Sequence, residues 1–113
     1  MNSTSKTWIY GIAAGLLAGV LTAVMVAASE PTTSFWMLTE EIIAWMVMGW
    51  AVIASNSGLK PIIHGIVITV FLHLPWYIQF AALSGQWDHL PPLVIMSMLI
   101  GAGFGFAKKK ATA

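Results

Sequence analysis

Residues 61–83 read PIIHGIVITVFLHLPWYIQFAAL. The stretch holds one histidine, His73, near its middle, a proline two residues later, and then Trp76, Tyr77 and Gln79. About 20 apolar residues rising 1.5 Å each cross a hydrocarbon layer of roughly 30 Å. The stretch is therefore long and apolar enough to span a bilayer, and the rest of the chain reads as its support.

Composition points the same way. Of 113 residues, 58% are hydrophobic and only 8% charged, where a soluble domain carries about 25% charged residues. A chain with so few polar groups cannot cover its own surface with them, so that surface faces lipid. Its length is that of a single domain, 1–113. There is no cysteine, which excludes disulfides, thiolate metal sites and cysteine nucleophiles. There is no arginine to clamp a phosphate or carboxylate. The only basic cluster is Lys108–Lys110, so nucleic-acid binding is unsupported.

Three further spans flank the opening one. Trp8 to Ala28 runs without a charge. Val26-Ala27-Ala28 resembles a signal-peptide cleavage site, but the apolar run exceeds a typical signal core. Gly11, Gly15, Gly19, Ala23 and Ala27 recur every four residues, a stripe of small side chains that lets two helix backbones approach closely in lipid. The stripe is a packing face, either within the subunit or between subunits. Pro31 ends this helix, and Thr32, Thr33 or Ser34 can cap the next. The second span covers about 35–54 and contains the adjacent pair Glu40-Glu41. Gly58 and Pro61 mark a turn and a new helix start. The third span, about 62–83, is expected to kink at Pro75, which cannot donate to the Phe71 carbonyl. The fourth, about 92–107, carries Gly101 and Gly105, a natural partner for the stripe on the first helix. The expected fold is all-α: four transmembrane helices in an antiparallel up-down bundle.

Charge sets the orientation. Lys6, Lys60 and Lys108–Lys110 all fall on the termini and the middle loop, while the other two loops hold only Glu30 and Asp88. Basic residues stay cytoplasmic, so both termini are expected inside. The expected location is a bacterial or archaeal cytoplasmic membrane.

A few polar groups then need a reason to be there. Counting 1.5 Å per residue puts Glu40 and Glu41 about 5–7 Å outward of the membrane midplane. His73, Tyr77 and Phe80 share one face of the antiparallel neighbour, and His73 lies about one turn deeper than Tyr77. An acid at that depth costs about 3 kcal/mol on insertion scales, and two side by side resist joint ionisation. Adjacent positions differ by about 100° around a helix, so only one can point inward. Glu40 shares its face with Ala44 and Ala51 and is the expected buried acid. Glu41 shares its face with Met37, Trp45 and Met48. The bland alternatives are an interfacial carboxylate pair, a neutral core histidine and a Tyr77 that only fills space. Gln79 reads as an interfacial amide. His64 reads as an interfacial or packing residue near the cytoplasmic end, about 180° from His73, so the two cannot share one metal.

Three functional readings follow. The first is an oligomeric proton- or cation-linked transporter or channel with Glu40, Glu41, His73 and Tyr77 at its site. The second is a non-catalytic accessory or assembly subunit of a membrane complex. The third is an outer-face metal site built from Glu40 or Glu41, His73 and His89. No helix carries a two-histidine or Glu-x-x-His spacing, a nucleophile elbow or a phosphate loop. Neither a metal, a cofactor nor an enzymatic activity is expected. The expected partners are the lipid bilayer and either further copies of the chain or a larger complex.

Overall fold

The computed structural model describes residues 3–83 and 85–112, with the side chains of Ser3, Phe80 and His89 outside the description. The expected places of Phe80 on the His73 face and of His89 as a donor therefore fall outside the described residues. The chain is almost entirely helical, with no strand among the described residues: α1 Ser3–Ser29, α2 Phe35–Ala54, α3 Pro61–Leu72, α4 Leu74–Tyr77 and α5 Leu90–Ala111. A π-helical turn, Ile78–Leu83, continues α4, and a 3-10 turn, Trp87–His89, leads into α5. α1, α2 and α5 are each long and apolar enough to cross a membrane. α3 and the segment after it pass only as a pair, bent by 49° at their junction. The long dimension of the molecule is 43 Å, close to the roughly 40–45 Å of a bilayer with its headgroups.

Local sequence explains where the helices begin and end. The Ser34 hydroxyl accepts the Met37 N–H at 3.2 Å and caps α2. Gly58 and Gly85 adopt φ of 79° and 72°, the left-handed region glycine enters without a side-chain clash. α5 is longer than the expected 92–107. Pro91 and Pro92 fit its first turn, where backbone N–H groups have no helical acceptor. Lys108, Lys109 and Lys110 fit its last, where free carbonyls favour cations. α1 likewise starts before the expected Trp8.

The glycines pair the helices into two hairpins, and not as the sequence suggests. α1 lies against α2. A Cβ added at Gly11 would come within 2.6 Å of the Trp50 Cα, and one at Gly19 within 2.8 Å of the Ile42 Cα. α5 lies against α3, where a Cβ at Gly101 would come within 2.7 Å of the Gly65 carbonyl oxygen. The expected match of Gly101 and Gly105 to the stripe on the first helix is therefore corrected: each stripe faces its neighbour within its own hairpin. The physical reason is Gly49 on α2 and Gly65 on α3, each a flat spot at the point of closest approach. The two hairpins meet each other over a smaller surface than either buries internally.

The bent segment is the other departure. The break falls at His73, two residues before Pro75. His73 has φ −89° and ψ −3°, and its carbonyl accepts from both the Trp76 and Tyr77 N–H groups at 3.0 and 3.2 Å. Proline lacks the N–H that the Phe71 carbonyl would need, so the ladder is interrupted upstream of the proline itself.

A polar clasp joins the hairpins at the end that carries the α2–α3 turn. Lys108 Nζ donates to the Ile53 and Ser55 carbonyls at 2.9 and 2.7 Å, satisfying orphan acceptors at the end of α2. His64, fully buried, lies 2.9 Å through Nε2 from the Val52 carbonyl and 2.6 Å through Nδ1 from the Ser57 hydroxyl. A carbonyl can only accept, so in the neutral ring Nε2 carries the hydrogen and Ser57 donates to Nδ1. His64 is thus a packing residue with both nitrogens satisfied. Replacing Lys108 with methionine is expected to cost about 1–2 kcal/mol in unfolding experiments in detergent, while Lys109→Met, at an exposed position, stays within about 0.5 kcal/mol of wild type. Equal losses in the two variants would contradict the capping role.

Candidate functional site

The polar groups of the core gather where the two hairpins face each other. Trp45 is their centre. It is fully buried and donates its indole N–H to Glu41 Oε1, one turn earlier on α2, at 2.9 Å. The Trp76 indole and the Thr22 hydroxyl also lie beside this carboxyl. The other side of the Trp45 ring packs on two residues of the second hairpin. The His73 ring centroid is 4.8 Å away at an interplanar angle of 31°, and Phe104 is 6.0 Å away at 60°.

His73 sits within aromatic rings. Trp76 stacks on it at 5.4 Å and 16°, and Tyr77 meets it edge-on at 5.3 Å and 65°. Two indoles thus flank one imidazole. Trp76 and Tyr77, three and four residues on, stand on the same side of the helix as the histidine and close around it. His73 is 1% exposed and Tyr77 7%. His73 Nδ1, the Tyr77 hydroxyl and the Thr69 hydroxyl are buried without a hydrogen-bond partner among the described residues. They belong to residues one helical turn apart, facing the α5 position where Ser97 lies beside Tyr77. Ser97 donates its own hydroxyl hydrogen to the Leu93 carbonyl at 2.8 Å, leaving its lone pairs open.

The expected site residues divide accordingly. Glu41, His73 and Tyr77 come together. Glu40 does not, and the expectation that it is the buried acid is corrected: Glu41 is 7% exposed, whereas Glu40 is on the outer surface. The buried stripe of α2 is Glu41, Trp45, Met48 and Val52. The alanines that shared a face with Glu40 are half-buried, and Ala44 packs against the core, but small residues on a helix apolar all round did not fix which neighbouring acid turns inward. Gln79 is exposed. Sequence reasoning passed over Trp45, Trp76, Thr69 and Ser97. One signal was readable: an indole four residues after a glutamate on one helix is in reach of its carboxyl.

Chemically, the cluster offers a carboxyl and an imidazole on opposite hairpins, bridged by a shared indole. Each can take up or release a proton, and the unpaired Nδ1 and two hydroxyls can pass one along or hold a small polar ligand. No three side chains of His, Asp or Glu gather as metal donors among the described residues. No family model, curated protein or solved structure matches this chain.

Proposed function

We propose that this chain is a four-span membrane protein, with both termini cytoplasmic, that carries a proton-binding site in its core and couples it to the movement of protons or small cations. The observation that carries the reading is the pairing of Glu41 with Trp45 and of Trp45 with His73 across the junction of two hairpins. Ionisable groups inside a membrane domain are costly and face its interior when they work. The broken third span supports the same reading, since discontinuous helices near the bilayer midplane mark ion and substrate sites in many transporters. The hairpins, each closed by glycine contacts and joined over a smaller surface, are rigid units that can rock about the site.

The first test needs no substrate. Glu41→Gln keeps an oxygen acceptor for Trp45 and removes the titratable carboxyl, and His73→Gln removes the imidazole. Both variants are expected to melt at or above the wild-type temperature between about pH 5 and 8, and to lose proton flux when reconstituted in liposomes under a pH gradient. A loss of about 1 kcal/mol or more in each variant, with flux absent in wild type as well, marks the cluster as a structural network.

A second reading, an accessory subunit of a membrane complex, draws on a different feature. An open groove of about 570 Å³ between α1 and α5 is lined by Leu21, Met25, Pro91, Ile95 and Leu99 among others, all apolar. Such a groove suits a neighbouring transmembrane helix. A second protein retained at constant ratio after gentle solubilisation favours this reading.

A further inference from the structure

Three buried polar atoms of the third span have no hydrogen-bond partner among the described residues: the Thr69 hydroxyl, His73 Nδ1 and the Tyr77 hydroxyl. Their residues recur every four positions, so they form one row about 12 Å long on one side of the span. Thr69 is fully buried, His73 is 1% exposed and Tyr77 7%. An orphaned buried donor or acceptor costs free energy, and three on one face ask for a common partner.

The facing helix lines the row with small residues. On α5, Ser97 lies beside Tyr77. Gly101, one turn on, stands against Thr69, whose Cβ is 3.0 Å from where a Cβ of Gly101 would be. Ser97 and Gly101 are both buried. The two ends of this seam differ. Towards the α2–α3 turn, the next position of the row is Gly65, packed on the backbone of Gly101 and Gly105. No rotamer change can open that end. Towards the other end the span bends by 49°. The segment beyond the bend, 74–83, touches α5 far less than α3 does. It hangs between the break at His73 and the turn at Gly85, whose φ is 72°.

The donor set names the ligand. Two hydroxyls, one imidazole nitrogen and the open lone pairs of Ser97 both give and take hydrogen bonds, and none is a carboxylate that could hold a bare cation. Water fits, since a buried water is held by two to four such groups. The row is dry in the closed form seen here. We propose that the seam between the third span and α5 is a one-sided water path to His73. When 74–83 parts from α5, water enters from the end that carries Gln86. It passes Tyr77 and Ser97, pairs with His73 Nδ1 and stops at Thr69, short of the Gly65 contact. The path rests on His73 belonging to the proton site and gives that site its route of access.

The chain has no cysteine, so single thiols report on the seam. Ser97→Cys and Thr69→Cys exchange a hydroxyl for a thiol at fully buried positions. Val52→Cys and Ala18→Cys, buried in the apolar core, are the controls. Silver nitrate is added to one side of sealed membrane vesicles. Silver ion travels through water and replaces the thiol hydrogen, and a maleimide mass tag added after denaturation counts the thiols that remain. Gln86→Cys and Asn56→Cys, exposed in turns at opposite ends, mark the two sides. Silver is expected to consume the thiols at positions 97 and 69 at least about tenfold faster than the controls, because a thiol reacts where water reaches it. Position 97 reacts first, and both react only from the side that reaches Gln86→Cys. Rates no higher than the controls, or reaction from the Asn56→Cys side, overturn the proposal. Proton flux in the wild type with both seam thiols unreactive overturns the path alone. Reactive seam thiols with full flux in Glu41→Gln and His73→Gln uphold the hydrated seam and overturn the proton site.

Discussion

Replacing Gly65 with alanine is expected to lower stability by about 3 kcal/mol or more, the upper part of the range for overpacked cores. An added Cβ would lie 2.6 Å from the Gly105 nitrogen and 2.8 Å from its Cα, and closer still to the Gly101 carbonyl oxygen. All three are backbone atoms, and no rotamer change can move them aside. α3 and α5 must separate, and every contact along that hairpin weakens together. Gly103→Ala is the matched control. It lies on the same helix as Gly101 and Gly105, and a Cβ there meets nothing within 4 Å. Alanine is the better helix former by up to about 1 kcal/mol, so this variant is expected to be neutral or slightly more stable. Thermal unfolding of both in one detergent separates packing from propensity. Equal stability of Gly65→Ala and wild type contradicts the close approach of α3 and α5.

The second large effect is expected at Trp45. Trp45→Ala removes the fully buried ring that touches His73 and Phe104 and the donor that holds Glu41. The expected loss is about 3–5 kcal/mol. Trp45→Phe keeps an aromatic ring but removes the N–H together with the five-membered ring that carries it, leaving Glu41 Oε1 short of a donor and a small cavity beside it, at a cost of about 1–3 kcal/mol. A double-mutant cycle isolates the bond. Combining Trp45→Phe with Glu41→Leu, which removes the acceptor, is expected to show a coupling of about 0.5–3 kcal/mol between the two positions. A coupling of zero means that the indole and the carboxyl do not interact in the folded protein. Because Trp45 is the bridge between the hairpins, the phenylalanine variant also asks whether Glu41 and His73 communicate through it: proton flux that survives Trp45→Phe unchanged locates the working pair elsewhere.

Much of this architecture is legible in the residues themselves. Runs of apolar side chains locate the helices, and Pro31, Gly58 and Pro61 locate the turns between them. His73 and Tyr77 stand out as polar groups on one face of an apolar span, and the structure brings them together. The choice between Glu40 and Glu41 was not legible. One residue of difference rotates a side chain by about 100°, and the neighbours used to decide it, Ala44 and Ala51, fit an interior and a lipid-facing surface equally well. Trp45 was readable only as bulk, although its N–H holds the acid while its ring packs on the imidazole.

What the sequence by itself determined is the elements: a chain with this little charge and this much apolar length forms helices long and apolar enough to cross a membrane, as a lipid-embedded chain needs if its backbone groups are to be paired. What only the tertiary structure decided is which faces meet. In water, a polar face tells a helix which side is outside. In lipid, inside and outside are both apolar, so periodicity falls silent and close packing takes over. Gly49 and Gly65 therefore chose the partners of the two glycine stripes. The same packing turned Glu41 inward and Glu40 outward, and the break came at His73, two residues before Pro75.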